Sequence, residues 1–225
     1  MTPMITRPDF DRAATAAMQL LIDNNITETP IKPDAILLGL PGVRVLPYTK
    51  MASDFGMDRS DLIYIFGNQD AATFNLSTPG LDAVEYVVVY NMRLPSDIVA
   101  RGIARELGHI VLGHDGITRP LDVRMAEAMC FAHHLISPRP VLHMLQQSGM
   151  PLTLDILIST TGCSDECVYE MQTIPGAHVP KDINARVRDL FAPHLQEYIN
   201  YHRASPKPDR SMRVDLGTFM DNYEE

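Results

Sequence analysis

The stretch ARELGHIVLGH, residues 104–114, decides how this chain is read. It belongs to a helix that Pro95-Ser96-Asp97 opens, with Ser96 expected as N-cap and Asp97 complementing the helix dipole. Gly113 is the expected stop, because glycine closes helices readily. Within that helix Arg105 and His109 stand at i and i+4 on one face, and Glu106 lies one step round.

Side chains at i and i+4 are about 6 Å apart, close enough to hold one ion. In the pattern His-Glu-x-x-His both imidazoles bind zinc, and the glutamate acts as general base on the metal-bound water. Here Glu106 takes the base position and His109 that of the second ligand, while Glu127 on the next helix is the third-ligand candidate. Arg105 takes the first position. A guanidinium keeps its proton and has no lone pair to give. Two protein ligands beside a fixed cation make a poor zinc site. The planar donor fork of arginine suits carboxylates instead, so Arg105 is expected to bridge Glu106, the surroundings of His109, and Glu127 in the metal's place.

Replacement ligands are few. Cys130, three residues after Glu127, could complete a set with Glu127 and His109, but a buried cysteine acting as a small hydrophobe is the simpler reading. His134 lies about 10 Å along the helix from Glu127, too far for the same ion. His114 follows the helix-ending glycine and reads as a capping or packing residue. Cys163 and Cys167 form a lone C-x-x-x-C and read as core, as do Met125, Met129, Met144 and Met150, although these methionines could also line a peptide groove.

Outward from this helix the pattern is helix, strands, then helices. Residues 9–24 carry apolar residues at helical spacing, and residues 43–48, 61–67 and 85–91 have the aromatic and β-branched content of strands. The last of these is apolar on both faces and should be the most buried. Helices are expected over 121–137 and 138–149, a helix–Gly–helix unit over 153–174, and a helix over 182–203 kinked or broken by Pro193. From Ser205 the composition suggests a linker, and GTFMDNYEE a tail that docks or stays loose. The fold class is therefore α+β, with a small mixed sheet in the N-terminal half. Residues 1–150 form the first unit, 151–175 a helix-turn-helix-like segment packed on it, and 176–225 a helical extension with its tail.

The 225 residues carry a formal charge of −9, which argues against a general affinity for nucleic acid or anionic membranes. The helix-turn-helix-like segment also begins its second helix with Asp165 and Glu166, which repel phosphate, so it reads as a packing or protein-contact module. There is no apolar run of about 18 residues, no signal-peptide pattern, and no disulfide framework in three scattered cysteines. These features fit a cytoplasmic protein.

The linked motifs resemble the ImmA/IrrE-type zinc metallopeptidases of bacterial chromosomes and mobile elements. VVVYN (87–91) precedes ELGHIVLGH (106–114) as a strand ending in asparagine precedes that family's active helix. AEAMCFAHHLISP (126–138) is similar to its Glu-Ala-x-x-Phe-Ala-x-x-Leu-x-x-Pro helix, and LISTTGCSDECVYEMQ (157–172) to its helix-turn-helix-like segment. The resemblance covers residues 9–175. It implies His109 and Glu127 as zinc ligands, Glu106 as general base, and a repressor-type regulator as protein partner. Arg105 departs from the first-ligand histidine. The function expected is thus a mobile-element-associated scaffold with a degenerate zinc site and a regulatory or protein-binding role. The alternative is an active zinc endopeptidase, cleaving a repressor-type protein with a substitute ligand.

Overall fold

The computed structural model describes residues 7–67, 69–76, 86–114, 119–204 and 213–220. In its N-terminal half lie α1 (Phe10–Asp23), α2 (Pro33–Gly39), β1 (Val43–Pro47), α3 (Tyr48–Phe55), α4 (Arg59–Phe66), β2 (Ala71–Asn75) and β3 (Tyr86–Tyr90). Then come α5 (Ser96–Val111), α6 (Leu121–Ile136), α7 (Arg139–Gln147), α8 (Leu154–Thr161), α9 (Asp165–Met171) and α10 (Lys181–Ala204). A 3-10 turn at Gly217–Met220 follows. The class is α+β with a small mixed sheet, as the sequence pattern indicates. No helix among the described residues is long and apolar enough to cross a membrane.

The sheet order is β1-β3-β2, with β1 parallel and β2 antiparallel to the central β3. Successive strand side chains point to opposite faces. Val88 accordingly enters the main core, while Val87 and Val89 join a second cluster with Tyr48 and Phe66 across the sheet. Burial of both faces explains the uninterrupted apolar run of β3. α5 packs on β2 and β3, α6 on α5, α1 on α6, and α10 on both α7 and α1.

Three expectations need correction. Residues 61–67 are not a strand but most of α4. Asp58 accepts hydrogen bonds from the Ser60 and Asp61 amides, Asp61 accepts one from the Asp58 amide, and Gly67 caps the other end. This capping box outweighs the β-propensity of Leu62-Ile63-Tyr64-Ile65, and Tyr64 is left 91% exposed. The strand's place is taken by AATFN (71–75), whose short and mixed composition carries no strand signal. Pro193 does not break α10. Val187, Phe191, Leu195 and Ile199 are buried along one stripe, and this packing carries the helix through the missing amide. Finally, Ser96 is the first residue of α5 rather than its cap, which is Pro95.

The helix-turn-helix-like unit forms as expected, with Gly162 left-handed (φ 71°) between α8 and α9 and Ser164 capping α9. Cys163 and Cys167 are buried there. Residues 213–220 dock. The Val214 amide donates to the Leu152 carbonyl, Phe219 is fully buried against the His134 ring, and Arg139 donates to the carbonyls of Phe219 and Ala177. The expected linker from Ser205 lies outside the described residues up to 212.

α5 and α6 approach closely because Gly108 has no side chain at their contact. A Cβ there would lie 3.0 Å from the Phe131 ring and 3.2 Å from the Ala128 backbone. Gly108→Ala should therefore destabilise, although alanine is the better helix former by about 1 kcal/mol. A net loss of about 1–2 kcal/mol, read as a lower thermal midpoint, is expected from overpacking against backbone.

Candidate functional site

α5 presents Arg105, Glu106 and His109 toward β2 and α6. The Arg105 side chain is only 15% exposed and is satisfied on several sides. Its Nη2 donates to Asp70 Oδ1 at 2.8 Å, to Glu106 Oε1 at 2.8 Å and to the Ala71 carbonyl at 3.0 Å. Burial opposes its charge, yet the Glu106 and Asp70 carboxylates outweigh burial and hold the pKa above the ordinary arginine value. Glu106 Oε2 accepts from the Thr73 hydroxyl at 2.7 Å. Burial raises the Glu106 pKa, and Arg105 and Thr73 offset part of that rise.

Glu127, fully buried on α6, sits in a separate network. Its Oε1 accepts from the Asp9 amide at 2.8 Å and from Arg119. Its Oε2 lies 2.9 Å from His114 Nε2. The other nitrogen of the same ring, His114 Nδ1, lies 3.0 Å from His109 Nδ1. His114 is thus inserted between the two candidate ligands and uses opposite ends of its ring to reach them. Burial is the main cause that lowers both histidine pKa values, that of His109 to about 4.

The expected bridge from Arg105 to Glu127 does not form. Arg105 turns to Asp70 and Glu106, and Arg119 supplies the cation for Glu127. Cys130 is buried, its Sγ facing the Phe10 carbonyl at 3.7 Å and His134 Nδ1 at 3.6 Å, and burial pushes its thiol up to about 12. Its contacts lie away from the His109–His114–Glu127 file. His134 Nδ1 donates within α6 to the Cys130 carbonyl at 2.9 Å, and its ring packs at a tilt against Phe219.

A zinc ion does not fit this donor set. The first position is a protonated guanidinium, both oxygens of Glu106 and of Glu127 already meet donors, and His114 separates His109 from Glu127. What the geometry leaves open is a cleft of about 470 Å³ in front of α5. Its lining combines Thr73 and Asn75 of β2, the polar Arg105, Glu106, His109 and Arg124, and the apolar Ile110, Leu121 and Met125.

Motif reading found Arg105, Glu106, His109 and Glu127 but missed Asp70, Thr73, Asp9 and Arg119. These come from other elements and match no spacing rule. His114 carried a signal, its five-residue distance from His109, but it read as a cap. No family model matches the chain, and no curated protein matches it at a significant level.

Arg105→Met should expose the cost of this pairing. Removing the cation leaves Glu106 and Asp70 as uncompensated buried acids, a loss of about 3 kcal/mol near neutral pH. Glu106 then rises further above its unfolded pKa, so the folded state binds the extra proton and stability falls as pH rises. The deficit relative to wild type should shrink between about pH 7.5 and about pH 5, as measured by denaturant titration.

Proposed function

We propose that this chain is a metallopeptidase scaffold of the ImmA/IrrE type in which a guanidinium stands where the metal would be held. Its role is to bind a protein partner, of the repressor-regulator class that the resemblance implies, in the old substrate cleft and in the cytoplasm. The observation that supports this reading is the seating of Arg105 on Asp70, Glu106 and the Ala71 carbonyl. A cation held by two carboxylates neutralises the charges that a zinc site would present.

The cleft walls suit such a partner. β2 is an outer strand of the sheet, so one row of its backbone donors and acceptors faces away from β3. An extended segment can pair with such an edge. In the same cleft Leu121 is 64% and Met125 36% exposed, which offers apolar surface to the segment's side chains.

Metal content decides between binding and cleavage. Protein purified without chelator or affinity metal should carry no stoichiometric zinc, and Arg105→His should gain zinc affinity. One zinc per wild-type chain, with cleavage of a repressor-type protein abolished in Glu106→Gln, would overturn the proposal in favour of a working endopeptidase. Binding of the regulator should survive Glu106→Gln and weaken roughly ten-fold or more in Met125→Arg, which places a long cation on the cleft wall.

A further inference from the structure

Glu127, His114 and His109 form one hydrogen-bonded file, and the direction of each bond follows from the groups at its ends. Glu127 Oε2 is an acceptor, so His114 Nε2 carries the proton between them. A neutral imidazole has a single N–H, which leaves His114 Nδ1 as an acceptor. His109 Nδ1, 3.0 Å away, must therefore donate. The one proton of His109 is committed at Nδ1, and Nε2 keeps its lone pair. His109 lines the cleft and has no other hydrogen bond among the described residues.

We propose that His109 is a hydrogen-bond acceptor that the cleft presents to its ligand, with Glu127 and His114 as the positioning residues that hold its lone pair at Nε2. The ligand class is a molecule carrying an O–H or N–H donor, with water included. Such a donor hydrogen-bonds to Nε2, while the Glu127 carboxylate at the far end of the file fixes which nitrogen is open. Arg124 lines the same cleft and is anchored by Nη1 to the His114 carbonyl at 2.8 Å, so the ligand also meets a cation there. This inference holds whichever protein occupies the cleft, and it routes nothing through an ion.

The file can be reversed by one isosteric change. Glu127 Oε1 takes two donors, the Asp9 amide and Arg119. In Glu127→Gln the amide oxygen must stay with that pair, which turns the NH2 group toward His114 Nε2. His114 then carries its proton on Nδ1 and donates to His109 Nδ1. His109 is forced to protonate Nε2, and its open lone pair disappears.

Long-range proton–nitrogen correlation spectra read these tautomers directly. Wild type should show His109 protonated at Nδ1 and His114 at Nε2, and Glu127→Gln should show both exchanged. Diethyl pyrocarbonate supplies an independent chemical readout. The lone pair of Nε2 attacks one carbonyl, the anhydride C–O bond breaks, and the departing ethyl carbonate takes the Nδ1 proton to give ethanol and carbon dioxide. His109 acylation, mapped by mass spectrometry, should be roughly ten-fold or more slower in Glu127→Gln than in wild type. A wild-type His109 protonated at Nε2 overturns the proposal without any variant, as does equal acylation in a folded Glu127→Gln protein.

Discussion

A guanidinium carries its charge at every accessible pH, and the α5–β2 contact is organised around that constraint. Arg105 needs carboxylates, and it finds them on two different elements, Asp70 ahead of β2 and Glu106 beside it on α5. The approach of Asp70 sets a further condition. A Cβ on Gly102 would lie 2.8 Å from the Asp70 carboxyl carbon, so a helix residue without a side chain makes room for the acid one turn away from the arginine. Thr73 then completes Glu106. A sequence of small choices across thirty-odd residues thus converges on one charge.

A single ion bound by residues of α5 and α6 would tie these helices through one shared centre. In this chain two cation-centred clusters replace it. Arg105 serves Asp70 and Glu106 on the sheet side, while Arg119 serves Glu127 on the α6 side. His114 spans the space between them. It keeps the histidine of α5 in register with the glutamate of α6 by hydrogen bonds, which are directional but need no shared ligand. Close contact of the helices comes instead from packing at Gly108, Ala128 and Phe131.

Legibility in the sequence followed the range of the interaction. α1, the helices from α5 onward and the buried β3 strand were readable because their signals are local, a 3.6-residue period or a short run apolar on both faces, whereas the short α2 and α3 were not read. Leu62-Ile63-Tyr64-Ile65 misled because its residue types favour strands, and the Asp58–Asp61 box that overrides them lies just outside the run. In the site, residues sharing α5 or following the α6 motif could be placed. Asp70, Asp9 and Arg119 could not, since a hydrogen bond across the fold leaves no periodic trace. Arg105 was read as a cation that seeks carboxylates, and it has them in Asp70 and Glu106, yet one partner was assigned a network too far, to Glu127. Nothing in the sequence announces that a second arginine already satisfies that acid.

The amide of Asp9, which donates to Glu127, is also the N-cap residue of α1. The acid and the amide are 118 positions apart in the chain. Closing so long a loop costs entropy before any hydrogen bond can repay it, and the deficit is met by burial of Ala13, Ala17 and Leu21 where α1 crosses α6. The carboxylate network is consequently complete only where α1 and α6 are packed together. The interior of the site and the first turn of the first helix therefore share a residue, Asp9, which caps α1 with its side chain and meets Glu127 with its amide.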